Sequence, residues 1–145
     1  MDLYFMRHGE AEAIANSDAE RKLTLEGRGS VEYVAEAFIR REWPLPMKLV
    51  TSSHDRAKET AEIVAKKLGI RDIKLVSYED STSWPVLRSY INDEAILFVG
   101  HQPALGEIIE EITGDSVPVK KASIHRLEYD FYEDKGKYLD RIENR

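Results

Sequence analysis

Short apolar runs alternate along this chain with longer stretches whose apolar residues return at helical spacing, and that alternation leaves few folds open. Leu3-Tyr4-Phe5-Met6, Lys48-Leu49-Val50-Thr51, Ile73 to Val76 and Ala95-Ile96-Leu97-Phe98-Val99 read as strands, the last as the best buried of them. Between them, helices are expected over Leu25 to Trp43, stopped by Pro44 and Pro46, and over Asp55 to Leu68, closed by Gly69. Two more are expected over Ser83 to Asn92, with Pro85 in the first turn, and over Pro103 to Thr113, closed by Gly114. Ala13 to Lys22 is polar and reads as a loop or short helix. The C-terminus changes character: Ser123 to Tyr132 and Lys137 to Ile142 read as a hairpin turning through Glu133-Asp134-Lys135-Gly136. His125, Leu127, Tyr129 and Phe131 share one face of it, which makes His125 a packing or surface residue rather than a catalytic one. The expected architecture is a three-layer α/β domain, with a mostly parallel sheet, helices on both faces and an antiparallel C-terminal edge.

A length of 145 residues suits a single domain, 1–145, with 42% hydrophobic and 33% charged residues. No apolar run approaches the ~18 residues of a membrane span, and the N-terminus lacks a signal-peptide pattern. A cytoplasmic protein with no membrane partner is expected. With no cysteine, disulfides, thiolate chemistry and Cys-ligated zinc are excluded. A net charge of −6 without a basic tract argues against nucleic acid. An anionic substrate would therefore need a local positive pocket.

Three segments could build one. Arg7-His8-Gly9 follows the first strand, Ser52-Ser53-His54-Asp55-Arg56 the second, and Gly100-His101-Gln102 the strand that ends at Val99. Ligands of open α/β sheets bind at the C-terminal ends of strands. The second and third segments also open helices, whose free N–H groups and positive dipole ends favour phosphate. Arg is a permanently charged fork suited to phosphate, and a neutral imidazole is a competent nucleophile. The combination points to phosphoryl transfer through a phosphohistidine.

The same residues resemble the histidine phosphatase superfamily, the phosphoglycerate mutase-like group, whose signature is Arg-His-Gly after the first strand. Asp18-Ala19-Glu20-Arg21-Lys22-Leu23-Thr24-Leu25-Glu26-Gly27 is similar to the Asp-x-x-Arg-x-Leu-Thr-x-x-Gly segment of its short, SixA-type branch of phosphohistidine phosphatases. Ser52 through Thr60 resembles Ser-Pro-x-x-Arg-Ala-x-Gln-Thr, with Ser53 in place of Pro and Glu59 in place of Gln. Gly100-His101-Gln102-Pro103-Ala104-Leu105 resembles [Ser/Gly]-His-x-Pro-x-Leu, and the length implies a minimal member with no cap insertion. The resemblance implies that His8 is the nucleophile, that Arg7 and Arg56 hold phosphoryl oxygens, and that His101 faces His8 across the phosphate. It places Arg21 in the pocket as a further cation and Gln102 as a backbone donor to the substrate.

Larger relatives carry a carboxylic proton donor. Here Glu79, or its neighbour Asp80, is the candidate, although a loop carboxylate is more often a solvated residue or a helix cap. Glu10 reads as an outer-shell group or a solvent-facing one. His54 reads as a solvated loop residue, Lys120-Lys121 as surface, and Trp84 as core or cleft wall. No metal-ligand cluster is visible, and no metal or other cofactor is expected. The expected substrate is a phosphorylated protein histidine, cleaved by a phosphatase. The alternatives are a small phosphorylated metabolite as substrate, or a non-catalytic phosphate-binding module. Oligomeric state is not legible, and a monomer is the working expectation.

Overall fold

Along β1 (Asp2–Arg7), side chains alternate between two cores. Tyr4 and Met6 pack into one with Val31, Phe38, Ala61 and Val64, and Leu3 and Phe5 into the other with Leu105, Ile109 and Trp84. A strand buried on both faces needs helices on both sides, and the chain supplies them. The computed structural model describes residues 1–92 and 94–144. The remaining strands are β2 (Lys48–Ser52), β3 (Asp72–Val76), β4 (Ile96–Gly100), β5 (Ile124–Asp130) and β6 (Lys135–Ile142). They form one six-stranded sheet in the order β3-β2-β4-β1-β5-β6. The first four strands run parallel and β5 and β6 antiparallel, which is the expected mixed three-layer architecture. Fully buried Tyr4, Phe5, Phe38 and Phe98 anchor the two layers, each burial stabilising by roughly 1.5–3 kcal/mol.

The strand order decides where chemistry can occur. β2, β4 and β1 are consecutive neighbours, with Arg7 paired to Gly100 and Thr51 to Val99. The three segments that follow these strands therefore emerge side by side at one end of the sheet.

The helices are α1 (Leu25–Arg40) and α2 (Asp55–Leu68) on one face, and α4 (Trp84–Arg88) and α5 (Ala104–Thr113) on the other, with a single turn, α3 (Tyr78–Ser81), after β3. Some boundaries differ from expectation. Helix α1 ends at Arg40 rather than Trp43, because Glu42 turns the chain at a positive φ of 55° and Trp43 folds back to stack on Tyr4. The helix expected over Ser83 to Asn92 is only α4, and α3 stands apart from it. Separate serine caps start the two, Ser77 accepting from Asp80 N–H and Ser83 from Val86 N–H. The hairpin turns earlier than expected, with Asp134 at φ 52° and Gly136 inside β6 opposite Tyr129. A Cβ at Gly136 would meet the Glu128 carbonyl oxygen at 2.5 Å, so close strand approach, not the turn, demands glycine there. Phe131 consequently lies in the turn and leaves the face that His125, Leu127 and Tyr129 share.

Candidate active site

The loop leaving β1 is held against α1 and α2 by contacts that only small residues permit. A Cβ on Gly9 would lie 2.9 Å from the Gly27 carbonyl oxygen, and one on Gly27 would lie 2.1 Å from the Glu10 carbonyl oxygen. Gly9 N–H donates to Thr60 Oγ1, whose hydroxyl donates to the Arg56 carbonyl one helical turn back. Thr24 caps α1 by accepting from Gly27 N–H and donates to Glu10 Oε1. Glu10 therefore anchors the loop and orients neither His8 nor an arginine. Glu59 accepts from Leu23 N–H, tying α2 to the same loop.

This packing leaves a cavity of about 330 Å³ lined by Arg7, His8, Ala11, Arg21, Arg56, Tyr78, His101, Gln102 and Lys121. A larger cleft of about 560 Å³ lies beside Trp84 and α5, and neither His8 nor His101 lines it. His8, Arg56 and His101 are buried, and the two imidazoles stand 5.1 Å apart between ring centroids. His8 Nδ1 lies 2.7 Å from the Gly9 carbonyl oxygen. That oxygen can only accept, so Nδ1 carries the proton and Nε2 keeps its lone pair. Burial pushes the His8 pKa down to about 4, with the charges of Arg56, Arg7 and Arg21 adding to it and the Gly9 bond opposing. Burial, not guanidinium charge, is the larger cause. His101 is pushed to about 3, by burial first and then by His8 and Arg56. Both rings are neutral at pH 7. His101 Nε2 lies 2.9 Å from Ser52 Oγ.

Arginine placement runs through a residue that sequence reasoning passed over. Asp18, in a 3₁₀ turn, accepts from Arg56 through both its carbonyl (2.8 Å) and its carboxylate (3.1 Å), and pairs with Arg21 at 3.1 Å. Arg21 also donates to the Glu12 carbonyl. Hydrogen bonds from Arg21 and then Arg56 hold the Asp18 carboxyl below the usual carboxylate range. Arg7 is positioned from the other side, donating to the Val119 carbonyl at 3.1 Å. Arg7 Nε, His54 Nδ1 and His101 Nδ1 are buried around the cavity without hydrogen-bond partners.

Every residue expected at the site except Glu79 lines this cavity. Glu79 and Asp80 are exposed on α3 and lie outside it. Lys121, expected at the surface, lines the cavity because its turn folds onto β1, with Ala122 N–H donating to the Arg7 and His8 carbonyls. His54 is no solvated loop residue. It precedes α2, stacks on Tyr78 at 4.6 Å and lies 3.7 Å from Asp18. Tyr78 and Lys121 carry no signal in their own neighbourhoods, whereas Asp18 sits in a recognised segment next to Arg21. Trp84 is core, packed on Phe5 and Phe98. Among the described residues, no group of three or more His, Asp or Glu could hold a metal ion, and no helix is long and apolar enough to cross a membrane.

The chain belongs to the histidine phosphatase superfamily, branch 1, whose family model matches residues 3–80. Within it the likeness is to SixA-type members. It is 30% identical to a phosphohistidine phosphatase SixA homolog from Haemophilus influenzae, over 90% of this chain and 89% of that protein. The fold superposes on the protein histidine phosphatase SixA, solved with tungstate, at a TM-score of 0.86 and 21% identity, covering 99% and 97% of the two chains. A phosphoserine phosphatase from Entamoeba histolytica, solved with phosphoserine, shares the fold at a TM-score of 0.71 and 13% identity, covering 97% and 95%.

Proposed function

We propose that this phosphatase hydrolyses a phosphorylated protein histidine through a covalent phosphohistidine at His8, without a metal ion. The observation that carries this reading is the lining of the cavity: four cations, two neutral imidazoles and, among the described residues, no carboxylate. An alkyl phosphate expels an alkoxide, which needs an acid to protonate it. A phosphohistidine expels an imidazole that already carries a proton on its far nitrogen. The nearest carboxylate to the arginines, Asp18, is held ionised by them and is a poor acid. SixA-type relatives are described by the same activity.

In the first step His8 Nε2 attacks phosphorus, the bond to the substrate nitrogen breaks with its electron pair, and neutral imidazole departs. Arg7, Arg21 and Arg56 neutralise the equatorial oxygens, and His101 stabilises the developing charge. Gly9 matters again afterwards. Its carbonyl keeps the proton on Nδ1, so phosphorylated His8 is itself a protonated phosphoimidazole and a good leaving group. Water then attacks phosphorus, its proton passes to solvent, and His8 Nε2 regains its lone pair.

Rapid-quench trapping tests the reading. Phosphohistidine substrate should yield an acid-labile, base-stable phosphoenzyme, and alkyl phosphates should turn over far more slowly. Tungstate should inhibit and EDTA should not. Faster hydrolysis of an alkyl phosphate, or activity lost in EDTA and restored by one metal, would overturn it.

A further inference from the structure

In an in-line displacement the leaving group departs roughly opposite the attacking nitrogen. The cavity has a buried inner part, His8, Arg56 and His101, and a more exposed rim of Ala11, Arg21, Tyr78, Gln102 and Lys121. A group expelled by His8 therefore passes the rim. Of the residues there, Tyr78 alone carries an aromatic ring; His54 covers one of its faces, so a ligand ring would use the other.

That ring is held in place. Ser77 caps its helical turn, and the Ser81 hydroxyl donates to the Tyr78 carbonyl at 2.6 Å. The ring stacks on His54 with planes 27° apart, and its centroid lies 4.7 Å from that of His101. A rigid aromatic surface at the exit of a phosphoryl pocket suits a planar ring on the leaving side. While phosphorylated, such a ring protonated at its far nitrogen is also cationic, and the face of a phenol attracts cations.

We propose that Tyr78 is the specificity-determining residue of a leaving-group subsite that takes an aromatic nitrogen heterocycle by stacking. The subsite rests on the phosphohistidine reading above. Chemistry at phosphorus is unchanged: the bond to His8 forms, the P–N bond breaks, and its electron pair leaves on the ring that Tyr78 holds.

Two substrates isolate the ring, because free phosphohistidine and phosphoramidate share a P–N bond but only the first has a ring to stack. Tyr78→Ala should lower kcat/KM for phosphohistidine by roughly 10-fold, mainly through KM, and Tyr78→Phe should stay within about twofold of wild type. Phosphoramidate turnover and tungstate affinity should move less than about twofold in both variants. If Tyr78→Ala does not fold, Tyr78→Leu keeps apolar bulk without a π face and should show the same selective loss. Equal losses on both substrates would mean that Tyr78 acts by buttressing His54 and His101, and would overturn the subsite alone. No loss on either would overturn it as well. A wild-type enzyme that cleaves phosphoramidate but not phosphohistidine would instead overturn the phosphohistidine reading, and the subsite with it.

Discussion

Two regions of this molecule bury neutral histidines, and they treat them differently. Around the cavity, His8 and His101 are pushed to about 4 and about 3, chiefly by burial. At the antiparallel edge, His125 is fully buried and is pushed to about 4 for the same leading reason. Titration does not separate them, but hydrogen bonding does. The Ser123 hydroxyl donates to the Lys120 carbonyl at 2.6 Å, so its oxygen must accept from His125 Nε2, 2.8 Å away. With Nε2 protonated, Nδ1 accepts from the Tyr138 hydroxyl at 2.8 Å, and both ring nitrogens are satisfied. The cavity instead leaves His101 Nδ1 and Arg7 Nε unpartnered. An unmet buried polar atom costs roughly 1–3 kcal/mol. A fold that keeps such atoms beside clustered arginines holds capacity for an anion, whereas the edge has spent its capacity on itself. A depressed histidine pKa alone does not mark a site.

His8→Ala would break this contrast most completely. Turnover and phosphoenzyme should vanish, a loss of at least about 1,000-fold in kcat, while circular dichroism and Tm change little. Retention of more than a few per cent of activity would move the nucleophile elsewhere. Asp18→Ala comes next, because it removes the carboxylate shared by Arg56 and Arg21 and leaves Arg56 only the backbone carbonyl. The Asp18 carboxylate is exposed, which limits its ion pairs to about 1 kcal/mol, so kcat/KM should fall roughly fivefold. An unchanged kcat/KM would show that packing alone sets the arginines.

His125→Phe should invert the pattern, leaving kcat/KM within about threefold while stability falls by ~1–3 kcal/mol, because Ser123 and Tyr138 lose their partner. It should also flatten the pH dependence of Tm. His125 has a folded pKa of about 4 against an ordinary value of 6.5, so the unfolded chain binds the extra proton between those values. Its stability is complete above about pH 6.5 and is lost as pH falls toward 4, and the variant should lack that share. A large loss of turnover with normal stability would erase the distinction between the two regions. The smallest effect is expected from Glu79→Gln with Asp80→Asn, both exposed and outside the cavity. Phosphohistidine hydrolysis should change less than about twofold. A selective loss of roughly 100-fold with alkyl phosphates would make one of them a proton donor.

Local patterns along the chain set the alternation of strands and helices, the antiparallel edge and the residues that end β1, β2 and β4. Each is a local matter of periodicity, capping and turn chemistry, readable within about ten residues. Arg7, His8, Arg56 and His101 were legible because each directly follows or nearly follows a short buried strand. That the three strand ends adjoin was decided by the order β2-β4-β1, which depends on pairing between segments far apart in the chain. The same long-range packing brought in Lys121, by seating its turn on the Arg7 and His8 carbonyls, and brought Tyr78 onto His54 across 24 positions. It also put Gly136 in a strand where its own neighbourhood suggested a turn. Local sequence sets what each segment is, because backbone preference and hydrophobic period act over a few residues. Which side chains share a cavity was left to tertiary structure, because burial and hydrogen-bond partners are supplied by segments that no local window contains.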